Sequence, residues 1–230
     1  MTPTIEAVPE EIYDIELEHS LLEANAKLAK QNRALLDEHS ITAYDFMGAI
    51  GSGKTTLIAR LVDRLKGKFN IAVFNGDATV AEDTEPISRQ GVPVVQIATV
   101  NGCHLDANLV GKGLKRIDLT SLDLIFIENI GNLICPAEFP LGSRSRVVVV
   151  SVTEGPWMVK KHPHMFLGAD VVVINKVDLA EAMDVKVEQL VHDVRTLKPD
   201  IHVIAASCKS GKGLVEIAAL LAPDTLLVNA

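Results

Sequence analysis

Cysteine, aromatic residues and positive charge are all scarce in this 230-residue chain. Three cysteines, Cys103, Cys135 and Cys208, are too few and too scattered for a disulfide framework; such a set packs as small hydrophobes, ligates metal or reacts. Aromatics make up 4%, with a single tryptophan, which is too thin for a surface that stacks nucleic-acid bases. Twenty-two Lys and Arg face 30 Asp and Glu, and the net charge of −8 gives no general attraction to nucleic acid or to an anionic membrane. No apolar run approaches the ~18 residues of a membrane span, and residues 1–20 are acidic where a signal peptide would be basic and then apolar. The expectation is a cytoplasmic protein with neither nucleic acid nor membrane as partner. What the chain does have is 48% hydrophobic and 23% charged residues, enough for a sizeable core in one α/β domain with a terminal extension.

Residues 10–39 contain no Gly or Pro and set Ile15, Leu21, Leu22, Leu28, Leu35 and Leu36 at roughly helical spacing, which predicts an amphipathic helix with room for one break. With the tail before it, this forms an extension over 1–39, and 40–230 forms the main domain. From Ile41 onward short apolar runs alternate with helical stretches. The expected strands are 41–47, 71–75, 93–97, 123–128, 146–152, 170–174 and 201–205, and the expected helices 54–66, 105–116, 184–197 and 213–221. Several strands are unbroken Val/Ile runs, the pattern of strands covered on both faces, so the fold class is α/β with a largely parallel sheet flanked by helices. Ligands bind such sheets beyond the carboxyl ends of the strands.

Gly48-Ala49-Ile50-Gly51-Ser52-Gly53-Lys54-Thr55 fits the full G-x-x-x-x-G-K-[ST] pattern, placed directly after an expected strand and before an expected helix. Its glycines let backbone N–H groups turn inward around phosphates, and the following helix adds the positive end of its dipole. Gly48, Gly51, Ser52, Gly53, Lys54, Thr55 and Thr56 are the phosphate-binding candidates, with Lys54 reaching the β- and γ-phosphates and the Thr55 hydroxyl ligating Mg²⁺.

Asn175-Lys176-Val177-Asp178 follows the strand expected at 170–174, where a base would sit. The Asp178 carboxylate can accept both the N1–H and the exocyclic amine of guanine, donors that adenine does not offer in that arrangement. Asn175 can bond the base edge, the Lys176 stem can cover the ring, and the Ser207-Cys208-Lys209 loop can bring N–H groups to the guanine oxygen. The nucleotide is read as GTP.

The segment Asn75 to Asp83 offers Asp77 and Asp83 to Mg²⁺ or the attacking water, against the alternatives of turn chemistry and a solvated acid. Glu128 occupies the strand-end acid position, within E-N-x-G where Ras-like GTPases carry D-x-x-G, and Asn132 stands where their glutamine would be. Slow intrinsic hydrolysis follows, with Lys54, Asp83 and Glu128 as the catalytic candidates. Cys103-His104, together with Cys135, offers thiolate and imidazole donors suited to zinc or nickel. The residues alone leave that reading and simple packing both open. His162 and His164 read as part of a solvated basic turn.

A family resemblance closes part of the gap. A-N-x-x-L-A-x-x-N-R-x-L-L, D-F-M-G-A-I-G-S-G-K-T, G-D-x-x-x-x-x-D, C-H-L-D-A-N-L-V-G, L-I-F-I-E-N-I-G-N-L-I-C-P, T-E-G and I-N-K-V-D-L run from about Leu22 to the C-terminal region. Together they resemble the HypB proteins, the nickel-incorporation GTPases of hydrogenase maturation in the SIMIBI class of P-loop proteins. The resemblance implies GTP hydrolysis coupled to nickel insertion into nickel-iron hydrogenase precursors, alongside a HypA-like partner. It also implies a nickel or zinc site at Cys103, His104 and Cys135 near the interface of a GTP-dependent homodimer, and acids near Mg²⁺ at Asp83 and Glu128. Neither the C-x-x-C-G-C site nor the His-rich stretch of many relatives occurs in residues 1–39, so high-affinity nickel storage there is not expected. S-C-K replaces the usual S-A-K, a change that backbone contacts tolerate. Competing readings are a nucleotide-gated interaction protein with structural zinc, a urease-accessory or cobalamin-associated GTPase, and a small-molecule kinase. The urease type is disfavoured because Cys135-Pro136 is followed by Ala137, not His, and the kinase because N-K-V-D selects guanine.

Overall fold

The computed structural model describes residues 9–76, 81–98 and 102–222, apart from the side chains of 9–18 and 81–84. Seven strands form one all-parallel sheet: β1 (Thr42–Met47), β2 (Ile71–Asn75), β3 (Val94–Gln96), β4 (Leu124–Glu128), β5 (Ser145–Ser151), β6 (Val171–Asn175) and β7 (His202–Ala205). Their spatial order is β3-β2-β4-β1-β5-β6-β7. The described helices are α1 (Pro9–Glu38), α2 (Lys54–Leu65), α3 (Ala81–Ser88), α4 (Ala107–Leu114), α5 (Met158–Lys161), α6 (Pro163–Leu167), α7 (Val187–Leu197) and α8 (Leu214–Leu220).

Every residue of β1, β2, β4 and β6 is buried, so these strands are covered on both faces, as their composition requires. On one face α2 and α8 press Leu57, Leu61 and Ile217 onto Phe46, Phe126 and Val149. On the other, Leu36, Val110 and Leu114 cover Phe74 and Ile127, while Val159, Phe166 and Val194 cover Val148 and Val172. Each such fully buried side chain contributes roughly 1.5–3 kcal/mol. The central strands β1 and β4 are joined by Phe46 edge-on to Phe126, with centroids 5.4 Å apart. Chain direction across the sheet changes beside β1, which opens a crevice above its carboxyl end. No described helix is long and apolar enough to cross a membrane.

Three expectations need correction. Helix α1 is unbroken, and its buried stripe is Asn25, Ala29, Asn32 and Leu36, while Leu21 stays 54% exposed. The neighbouring surface is backbone at the start of α4 and at Pro140–Leu141, whose polar groups need partners, and asparagine offers both a donor and an acceptor. Asn25 accepts from the Ala107 amide at 2.8 Å and donates to the Pro140 carbonyl at 2.9 Å. Asn32 donates to the carbonyls of Ala107 at 2.7 Å and Leu141 at 3.0 Å. Second, α3 stands where the sequence suggested only loop, Pro86 inside it having hidden the helix; Ile87, fully buried, anchors it. Third, Lys160 to His164 is not a basic turn but the junction of α5 and α6. Pro163 opens α6, where a missing N–H costs nothing, and Met165 and Phe166 are fully buried.

Candidate functional site

The chain leaves β1 at Met47, passes Gly48, Gly51 and Gly53 with φ of 150°, 78° and 97°, and enters α2 at Lys54. A side chain on Gly53 would lie 2.4 Å from Asn175 Nδ2, so the loop closes only with glycine there. Ser52 and Lys54 are buried, Thr55 is half-buried and Thr56 faces solvent. Lys54 Nζ lies 3.3 Å from the carbonyls of Gly48 and Ala49. The Thr55 hydroxyl donates to Glu128 Oε1 at 2.5 Å, which brings the strand-end acid of β4 to the start of α2, as the sequence order suggested.

β5 lies between β1 and β6, and the loops after β6 and β7 reach back to the glycine loop. Asn175 is buried and spans both: its Nδ2 donates to the Ser52 carbonyl at 3.0 Å, and its Oδ1 accepts from the Cys208 amide at 3.4 Å. Its carboxamide thus braces two loops. Lys176, in the left-handed region at φ 58°, donates from Nζ to the Gly51 carbonyl at 2.7 Å. Asp178 stands exposed in the turn that follows, its carboxyl held below the usual range chiefly by the Ser207 hydroxyl, with Lys209 and Lys176 assisting. Cys208 is buried with its thiol pushed up by that burial, and Lys209 is exposed.

Glu154 was quoted in a motif but given no role. It closes a reciprocal cap at the end of β5, accepting from the Ser151 amide at 2.8 Å. Burial raises its carboxyl, while Lys54 and Lys176 pull the other way. Of the remaining acids, Asp77 lies outside the described residues, and for Asp83 only the backbone, within α3, is described.

Cys103, His104 and Cys135 converge: one ligand atom from each lies within 4.8 Å of the others, the one such group of three found among the described residues. Cys103 and His104 occupy the bend before α4, which is what lets neighbours in sequence point at one spot. Cys103 Sγ is 3.5 Å from His104 Nδ1. The Cys103 thiol is raised, first by the hydrogen bond it shares with Cys135 and then by burial. Burial lowers His104 against the pull of Asp106 and Glu138, and so favours the neutral imidazole that binds metal. Two soft thiols and a neutral imidazole suit nickel or zinc.

Supports that the sequence reading missed surround this cluster. His104 stacks on Phe139 with centroids 3.8 Å apart. Asp106 caps α4 by accepting from the Leu109 amide at 2.8 Å. Fully buried Asn129 accepts from the Leu105 amide at 3.0 Å and donates to Asp45 at 3.1 Å. Asn132 donates to the Cys103 carbonyl at 3.2 Å. Through Ala107, Asn25 and Asn32 of α1 steady the same loop. All but Phe139 lie inside the motifs given above; what the motifs do not reveal is that Asn25, Asn32, Asn129 and Asn132 bond to backbone far away in sequence.

The sequence profile of the CobW/HypB/UreG nucleotide-binding domain matches residues 43–205. The probable hydrogenase maturation factor HypB of Methanocaldococcus jannaschii is 45% identical over 88% of this chain and 92% of its own length. The chain belongs to the HypB family. The crystal structure of HypB from Archaeoglobus fulgidus superposes with a TM-score of 0.82 at 44% identity, covering 86% of this chain and 97% of that one. HypB from Helicobacter pylori, solved in complex with nickel, gives 0.81 at 33% identity, covering 86% and 93%. Similarity to a LAO/AO transport system kinase, at 17% identity and a TM-score of 0.56, shows the shared fold alone. Membership in the HypB family makes this a P-loop nucleotide hydrolase of hydrogenase maturation.

Proposed function

We propose that the protein is a GTPase whose nucleotide state governs the binding and hand-over of nickel to a hydrogenase precursor. The observation that carries the reading is the convergence of Cys103, His104 and Cys135, with Cys135 on the segment that leaves β4 directly beside the glycine loop. The reading is supported by the nickel complex of the Helicobacter relative. Gly48, Gly51, Ser52, Gly53, Lys54, Thr55 and Thr56 cradle the phosphates, and Asp178 reads guanine with the Ser207–Lys209 loop behind it. Lys176, tethered to Gly51, lays its stem along the base, and Asn175 holds the two loops in register. The paired oxygens of Thr55 and Glu128 are hard donors that fit Mg²⁺, with Asp77 and Asp83 as further candidates. That ion supplies charge neutralisation at the transferred phosphoryl group, and Lys54 binds the same oxygens from the protein side. Hydrolysis is slow, because asparagine stands in the place of the water-orienting glutamine.

Three protein ligands leave one position of a four-coordinate ion for a partner, a labile arrangement suited to delivery. Ile50, Ile134 and Trp157, which follow β1, β4 and β5, are 82%, 66% and 59% exposed. They support a homodimer that forms across this edge of the sheet. A HypA-like protein and the hydrogenase precursor are the further partners, in the cytoplasm. We read 1–39 as an extension that braces the GTPase domain 40–230.

The test is hydrolysis of GTP and ATP side by side, with nickel and zinc bound per protomer measured by equilibrium dialysis for wild type and Cys135→Ala. The reading predicts preference for GTP and loss of nickel in the variant. Equal use of ATP, or nickel retained by Cys135→Ala, would overturn it. Tightly held zinc with no nickel binding would leave the metal as a structural one.

A further inference from the structure

The segment from Glu128 to Cys135 touches the glycine loop and the metal loop in turn. On the nucleotide side, Glu128 meets the Thr55 hydroxyl. Gly131 packs so closely on Ile50 that a side chain there would lie 2.4 Å from Ile50 Cγ1 and 2.9 Å from its backbone nitrogen. Asn132 pairs by backbone with Gly48, the first residue of the loop. On the metal side, Asn129 holds the Leu105 amide and Asn132 holds the Cys103 carbonyl. Cys103 and His104 therefore hang between two asparagines that differ in kind. Asn129 is fully buried and locked by Asp45, and by a backbone bond from its own amide to the Phe46 carbonyl at 3.0 Å. Asn132 sits half-buried in the loop, its Oδ1 accepting from the nearby Ile134 amide at 2.9 Å.

We propose that the Asn132 carboxamide is the joint that carries nucleotide state to the metal ligands, with Asn129 as the fixed pivot. Residue 132 follows the strand-end glycine, the region that γ-phosphate contacts order in P-loop GTPases and release on hydrolysis. A Ras-like chain spends this position on the attacking water; here it is spent on the loop that carries Cys103 and His104. When a γ-phosphate draws Gly131 toward it, Asn132 moves with it and takes the Cys103 carbonyl along. Leu105 stays where Asn129 holds it. Cys103 and His104 then change position relative to Cys135, three residues beyond Asn132. Asn132 is a positioning residue: it acts through the ligands and is not one of them. This inference rests on the metal reading of the three ligands.

The experiment measures nickel affinity of the full chain with Mg²⁺ and either GDP or a non-hydrolysable GTP analogue, for wild type, Asn132→Ala, Asn132→Gln, Cys103→Ala and Cys135→Ala. Titration with a fluorescent nucleotide checks that each variant still binds nucleotide. Wild type is expected to show at least about a fivefold difference between the two states, the lower end of ordinary allosteric coupling. In Asn132→Ala that ratio falls to within about twofold of one while nickel still binds, and Asn132→Gln, which keeps the donor, recovers part of it. A wild-type ratio in Asn132→Ala would overturn the proposal, as would an equal loss of affinity in both states, which marks plain support. If instead Cys103→Ala and Cys135→Ala bind nickel like wild type, the metal reading itself fails, an outcome recognisable whatever Asn132 does.

Discussion

At the nucleotide site the working parts are mostly backbone: glycines shape the loop, Asn175 staples it to the base loops, and Lys176 is tied to the Gly51 carbonyl. At the candidate metal site the parts are three side chains, two of which have a neighbour from another element, Phe139 under His104 and Asn132 on the Cys103 carbonyl, with α1 behind Ala107. The first construction takes its shape from successive residues of one motif and is clamped there by Asn175 and Lys176. The second is assembled from afar, and so can respond when one support moves. The delivery role proposed above needs this difference, since a cargo must be released while the nucleotide pocket keeps its shape.

The sharpest way to break the comparison is at the base. Replacing the Asp178 carboxylate by a carboxamide removes one acceptor and adds a donor, which suits xanthine, whose C2 oxygen accepts where guanine donates. Asp178→Asn is expected to shift the GTP-to-XTP preference by up to about 10⁴-fold, measured by competition for a fluorescent nucleotide, with metal affinity unmoved. Unchanged selectivity would remove Asp178 from the base site. Next in size, Lys54→Ala should slow hydrolysis by about 10²–10³-fold, since Lys54 stabilises charge that develops in the transition state, while nucleotide-free nickel binding stays at the wild-type level. A joint collapse of both activities would mean that the two sites are not built independently.

On the metal side the effects are smaller. Phe139→Leu keeps bulk but loses the stacked ring under His104, and nickel affinity should fall about tenfold, with Phe139→Tyr close to wild type. If Leu and Tyr behave alike, stacking is not what orients His104. The last effect concerns the support beneath Asn129. Burial raises the carboxyl of Asp45 to about 6 from 3.8, against the bond from Asn129 and the charge of Arg146. Between those two values the folded chain keeps a proton that the unfolded chain has lost, so stability falls as pH rises through the window and levels off above it. Asp45→Asn lacks this slope. Its melting temperature relative to wild type should therefore climb from pH 4 to about 6.5 and then stay flat, a gain on the order of 1–3 kcal/mol. A constant offset at every pH would show that burial does not perturb Asp45.

The contrast between the sites also explains what the sequence could reveal. The glycine loop, the Asn175–Asp178 turn and the β-strands announce themselves because local motif and periodicity determine them. Cys103, His104 and Cys135 were nameable from their donor atoms and the family resemblance. Asn25, Asn32, Asn129 and Asn132 were not legible as supports, because a buried asparagine looks like any other until the backbone that it bonds is seen beside it. Helix α3 was hidden by Pro86, and the α5–α6 junction by Pro163 among basic residues, since a proline marks a breaker in sequence yet is tolerated where burial of Ile87 outweighs its cost, or at a first helical position, as at Pro163, where it costs nothing.

The central claim is that nucleotide and metal occupy sites that feel one another through the segment leaving β4. Linkage requires the effect to be reciprocal: the factor by which a GTP analogue, relative to GDP, changes nickel affinity must equal the factor by which nickel changes the preference for that analogue over GDP. Measuring all four legs of that cycle by titration calorimetry tests the claim most directly. The account predicts a common factor of at least about five in both directions. A factor within about twofold of one in both would contradict it, leaving two independent sites on one sheet edge.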